Sequence, residues 1–179
     1  MRPLPTDPVK VVDYDATWPD QYAAAAKELR DVLDEWVVEI EHIGSTAVPG
    51  LAAKPVIDIQ VGVRSLDDSA AMVAAVESLG YEYAPEFEDV LPERRFFRRW
   101  TDGHRSHHVH LVERANAGMW DDQVLFRDRL RTSDVDRDRY AALKQRLAEC
   151  HRDDRQAYTD AKAELVREVL TRSAREDSG

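Results

Sequence analysis

Two kinds of pattern divide the chain. In its first two-thirds, short β-branched and aromatic runs alternate with helical stretches; in its last third, apolar residues recur at helical spacing. The run VKVVDYD, Val9 to Asp15, predicts a first strand. A helix to about Asp34 follows, with Thr17 as its cap, Pro19 in its first turn and Asp20 in the place of a capping-box glutamate. In WVVEIEHI, period two puts Val38, Ile40 and His42 on one face. PVIDIQVGV is β-branched and nearly continuously apolar, as suits a central strand covered on both faces.

SLDDSAAMVAAVESLG reads as an amphipathic helix capped by Ser65 and stopped by Gly80. YEYAP is a short strand. RRFFRRW and SHHVHLVE form a hairpin through TDGHR, with Asp102-Gly103 as the turn signal. Three helices close the chain, roughly Gly118–Arg131, Val135–Cys150 and Arg155–Arg172, punctuated by Ser133-Asp134 and Asp153-Asp154. Strands first and helices after them predict an α/β (α+β) fold in one domain over residues 1–179. Its sheet part spans about 10–113 and its C-terminal helical part about 117–172. The tail SAREDSG reads as frayed.

Charge narrows the choice of partner. The formal net charge is −10, so duplex nucleic acid and anionic membranes are poor partners: the phosphate contribution is repulsive. No run is long and apolar enough to span a membrane, and MRPLPTDPVKVVDYD lacks the apolar stretch of a secretion signal. The single cysteine, Cys150, supports neither an intrachain disulfide nor a cysteine-based zinc site. Together these features predict a cytoplasmic protein.

Five groups of residues carry candidate chemistry. Gly44-Ser45 follows a strand directly. Such a turn either holds a phosphate on its N–H groups and hydroxyl or is a tight turn with Ser45 as a cap. Asp58 interrupts an apolar strand and shares a face with Gln60; a buried carboxylate there is bound to a metal or ligand, or is satisfied by nearby N–H groups. His108 and His110 flank Val109, which puts both imidazoles on one face at the spacing of two metal ligands, with Asp58 and His42 as candidates for the third. In RRFFRR, Arg95, Phe97 and Arg99 share one face and Arg94, Phe96 and Arg98 the other, giving either an anion site or an edge strand guarded by charge. Tyr158 and Lys162 stand one helical turn apart.

The succession YDATWPDQY, IEHIGSTAVPGLAAKPVIDIQVGV, RRFF, HHVHLVE, LFRDRLR and YTDAKAELV resembles the GrpB-like family, from about Val11 to Leu170. The resemblance implies a branch of the nucleotidyltransferase superfamily: a mixed β-sheet with flanking helices and a C-terminal helical subdomain. It also implies that Gly44, Ser45, Thr46 and Gln60 face a phosphorylated substrate. Lys54, Arg98 and Lys162 would add anion contacts. The superfamily's Asp-x-Asp falls on Asp58 and Gln60, so the second acid is replaced by an amide; the strand that offers a third acid presents His108 and His110 instead. A two-Mg²⁺ site is thereby weakened, and Asp58 with His108, His110 and His42 would suit one Mg²⁺, Mn²⁺ or Zn²⁺ ion.

The expected function is a nucleotidyltransferase-like one. The protein binds a nucleotide or phosphorylated small molecule, with metal-dependent phosphoryl or nucleotidyl transfer as the matching activity and Asp58 as its catalytic residue. The alternatives are a non-catalytic module for a nucleotide or CoA-like ligand, and a single-metal hydrolase.

Overall fold

Asp102 and Gly103, both at positive φ (51° and 81°), close the predicted hairpin between β4 (Arg94–Thr101) and β5 (His104–Glu113). The computed structural model describes residues 9–176; the leading segment 1–8 and the end of the SAREDSG tail lie outside the described residues. Around the hairpin stand β1 (Val37–Ile43), β2 (Ile57–Val63) and β3 (Glu82–Tyr83), giving a five-stranded mixed sheet in the order β1-β2-β5-β4-β3. β2 runs parallel to β5, and the other neighbours are antiparallel. A parallel pair needs a crossover; here it is α2 (Ser69–Glu77) followed by β3 and β4.

One face of the sheet is the main core. Ile57, Ile59, Val61 and Val63 of β2 point there with Val109, Leu111 and Phe97. They meet Leu29 and Leu33 of α1 (Trp18–Leu33) and Met72 and Val76 of α2. Each side chain so buried contributes about 1.5–3 kcal/mol. The other face receives α3 (Ala117–Thr132) and α4 (Asp134–Cys150). Their apolar contact with the 44–54 loop is Val48 and Leu51 against Leu130 and Tyr140. The chain ends in α5 (Arg155–Asp160) and α6 (Ala163–Glu176). Ser133 caps α4 by accepting from Asp136 N, and Asp154 caps α5 by accepting from Ala157 N.

Five local expectations are corrected. VKVVDYD forms no strand; a single bridge joins Val12 to Ala53. Thr17 makes no side-chain cap, because Asp15 Oδ1 accepts from both its N and its Oγ1 at 2.8 Å. A bulge between Val37 and Glu39 turns Val38 out of the Ile40–His42 face, leaving it 49% exposed. Ser65 accepts from Asp67 N at 3.1 Å, four residues before α2 begins. The last predicted helix is two, interrupted at Ala161 and Lys162.

The outer edge of β1 is partly occupied. Tyr22 Oη donates to Ile40 O at 3.1 Å, and Arg127 Nη1 donates to His42 O at 2.9 Å. No helix among the described residues is long and apolar enough to cross a membrane.

Candidate functional site

The register of β2 against β5 sets Asp58 opposite His108 and Gln60 opposite His110, on the face away from the main core. Asp58 Oδ1 lies 3.0 Å from His108 Nδ1 and 3.7 Å from His110 Nε2. Arg94 Nη1 stands 3.3 Å from His110 Nδ1. A guanidinium only donates, so neutral His110 accepts on Nδ1 and keeps its proton on Nε2, toward Asp58. Burial alone would raise the Asp58 carboxyl; the hydrogen bonds from His108 and His110 outweigh it and hold Asp58 well below the usual carboxylate range. Burial holds His110 below the ordinary imidazole value, against the pull of Asp58. Phe96 packs its ring 5.1 Å from both imidazoles.

The second carboxylate oxygen faces the Gly44 turn. A Cβ built at Gly44 would lie 2.6 Å from Asp58 Oδ2. Gly44 also adopts φ 71° and ψ −173°, a region open essentially to glycine. Both facts require Gly at this position. Ser45 opens a short 3₁₀ turn, Ser45–Ala47, and Tyr140 of α4 packs on Val48 and Leu51 of the loop that continues from it. Burial pushes that phenol up to about 12.

Three lysines gather at the far end of the 44–54 loop. Lys54 Nζ and Lys162 Nζ lie 4.8 Å and 4.5 Å from the centre of the Tyr158 ring. Lys144, on α4, is only 2% exposed; its Nζ donates to Ala52 O at 2.6 Å and sits 4.8 Å from the Tyr140 ring. Burial first, then the charges of Lys162 and Lys54, lower Lys144 to about 7. Lys144 is absent from the sequence-based candidates, although a signal for it exists. The Tyr-x-x-x-Lys spacing of Tyr158 and Lys162 recurs at Tyr140 and Lys144.

Four candidates are placed differently from expectation. Gln60 is 1% exposed and donates to Trp120 O at 3.0 Å. The first turn of α3 covers it, with Trp120 also filling the space over Gly62, where a Cβ would meet Cζ3 at 2.8 Å. Thr46 turns inward, donating to Val56 O at 3.2 Å and accepting from His42 Nε2 at 3.0 Å. His42 pairs with Ile59 and stacks on Tyr22 at 4.6 Å, so it lies on the core face, away from Asp58, His108 and His110. Arg98 Nη2 is committed to Glu82 at 2.9 Å and Glu86 at 3.0 Å rather than aimed at an external anion.

Among the described residues, no three His, Cys, Asp or Glu side chains are grouped to hold a metal ion. The geometry explains this. The imidazole nitrogens nearest Asp58 carry protons toward it, and His42 is on the other side of the sheet. A surface hollow on α6, lined by Glu164, Arg167, Glu168, Thr171 and Arg172, is built of ion pairs that tie α6 to α4 and contains none of these residues.

The architecture is nucleotidyltransferase-like. Terminal uridylyl transferase 4 from Trypanosoma brucei superposes with a TM-score of 0.50 at 14% identity, over 90% of this chain and 52% of that one, a likeness of fold alone. The chain belongs to the GrpB family, whose model, described as GrpB protein, matches residues 8–172. The crystal structure of conserved protein GrpB from Enterococcus faecalis matches with a TM-score of 0.85 at 32% identity, covering 95% of this chain and all of that one (100%). A UPF0157 protein of Pseudomonas aeruginosa is 41% identical over 170 residues, covering 93% of this chain and 68% of its own length.

Proposed function

We propose that the Gly44–Ser45 turn binds the phosphates of a nucleotide or another phosphorylated small molecule, and that Asp58 is the residue that acts on it in phosphoryl or nucleotidyl transfer. One observation carries this reading. Asp58 Oδ1 is held by His108, while Oδ2 is packed against the backbone of a turn that only glycine can make. A carboxylate kept charged at a phosphate-sized turn is of no use to a packed core and costs free energy there. Lys54 and Lys162, both against the Tyr158 ring, supply the opposite charge at the end of the same loop. The fold is shared with a transferase solved with bound CTP.

A divalent ion fits this site only in part. Asp58 Oδ2 is the carboxylate oxygen left for it, and the position of a second acid is Gln60, sealed under α3. The ion would be shared with the ligand's phosphates, where it would neutralise charge. His108 and His110 then serve as positioning residues, fixing Asp58 in one rotamer and keeping it ionised. A second reading, a binding module without turnover, is favoured by that same sealed position.

Thermal denaturation tests both. Ligand near 100 times its Kd stabilises by about 2.7 kcal/mol, a Tm rise of roughly 5–10 °C for a chain of this size. Nucleoside triphosphates with Mg²⁺ or Mn²⁺ are expected to give such a rise in the parent and none in Ser45→Trp. Turnover lost in Asp58→Asn supports transfer; binding with no turnover in the parent supports the module. No rise with any nucleotide overturns both.

A further inference from the structure

Lys144 is buried like a core residue, yet no carboxylate among the described residues pairs with it. A lysine at 2% exposure ordinarily has an acidic partner. The groups that face this one come from three elements. The 44–54 loop supplies the Ala52 carbonyl and Lys54, α4 supplies the Tyr140 ring, and the α5–α6 junction supplies Lys162, which shares the Tyr158 ring with Lys54. All are neutral or cationic. Two ammonium groups and a low-dielectric surrounding oppose the charged form of the third amine.

The arrangement is unfavourable for a structural lysine and well suited to an anion sensor. A multiply charged anion among the three side chains reverses the balance of charge and makes the ammonium form the stable one. Tyr140 connects this amine to the loop that carries the turn, since its ring lies against Lys144 and packs on Val48 and Leu51.

We propose that Lys144 is the floor of the phosphate site and that it takes up a proton from solvent as a polyphosphate docks at Gly44–Ser45. The inference rests on the phosphate site proposed above. No covalent bond forms: the amine gains one proton, buffer loses one, and the new ammonium faces the anion. Binding therefore weakens as pH rises, by up to about tenfold per pH unit where a full proton is taken up.

Two measurements test it, with CTP and inorganic tripolyphosphate as probes. Calorimetry at about pH 8, in buffers of different ionisation enthalpy, counts protons exchanged on binding. The parent is expected to take up a fraction of a proton approaching one more than Lys144→Met takes up, with weaker but measurable binding in the variant. NMR of ¹³Cε-labelled lysine in the parent is expected to show one amine titrating near neutrality without ligand and remaining charged with it. Binding with no difference in proton uptake between parent and variant overturns the role of Lys144 and leaves the phosphate site standing. So does an NMR titration in which every amine of the free protein stays charged to about pH 9. Failure of both probes to bind overturns the phosphate site, and this inference with it.

Discussion

The Gln60 side chain donates its amide hydrogen to the Trp120 carbonyl at 3.0 Å, and so the residue in the place of a second catalytic acid is a fastener between β2 and α3. Restoring an acid there would not restore a metal site. Gln60→Asp removes the donor that ties β2 to α3 and buries a charge at a position 1% exposed. Destabilisation of about 2–4 kcal/mol is expected in urea unfolding, with no gain of Mg²⁺-dependent nucleotide turnover. A stable variant with new turnover would mean that α3 lifts away readily.

Gly44→Ala tests the contact between turn and carboxylate. The new methyl would start 2.6 Å from Asp58 Oδ2 on a backbone that side chains avoid. The backbone alone accounts for about 1–3 kcal/mol. Asp58 must also swing away from His108. Two-dimensional NMR of the imidazoles is expected to show the His108 hydrogen bond weakened, and nucleotide-induced stabilisation is expected to vanish. An unchanged His108 spectrum would place the carboxylate elsewhere in solution.

Two buried histidines set the acid limb of stability. Burial, with the nearby arginines, lowers both His42 and His107 from an ordinary 6.5 to about 4 in the folded state. As pH falls, the unfolded chain takes up these protons first, so folding loses stability progressively from about pH 6.5 down to about pH 4. The full contribution is present above that window. Each residue is 7% exposed, and each contributes roughly 2–3 kcal/mol across the window. Asp58, also held below its ordinary value of 3.8, acts in the same direction at lower pH. Urea midpoints measured between about pH 7 and pH 4.5 should fall steadily, and His107→Gln should flatten the slope by about half.

Asp136 joins three helices and is 1% exposed. Its Oδ2 accepts from Arg129 of α3 at 2.7 Å, and its Oδ1 from Arg172 of α6 at 2.6 Å. Asp136→Ala removes the carboxylate shared by two guanidinium groups that are only partly solvated, at an expected cost of about 2–4 kcal/mol. Asp136→Asn should recover part of that. Chemical denaturation followed by tryptophan fluorescence measures both.

Local rules carried much of the fold. The Asp102-Gly103 turn, the apolar β2 and the helix breaks at Ser133-Asp134 and Asp153-Asp154 each depend on a few neighbouring residues, and each stands where the pattern puts it. Period two likewise brought His108 and His110 to one face, and the parallel register then added Asp58. What escaped depends on distant segments. Gln60 and Thr46 carry polar side chains on a strand and a loop, and only the packing of α3 and the loop's own fold turns them inward. His42 alternates correctly with Ile40, but which side of the sheet that face meets is decided by α1. Lys144 reads as one more surface lysine until the 44–54 loop folds over it. Arg98 reads as an anion contact because its glutamate partners, Glu82 and Glu86, belong to a different strand and turn.

The contacts of Tyr22 and Arg127 with β1 have a consequence for how molecules of this protein meet. A strand arriving from another chain would need the outward carbonyls of Ile40 and His42, and both are already engaged. The bulge at Val38 spoils the ladder further along. The sheet therefore cannot be lengthened at this end by a second copy without first evicting a tyrosine and an arginine, which protects an otherwise open margin against fibrous growth.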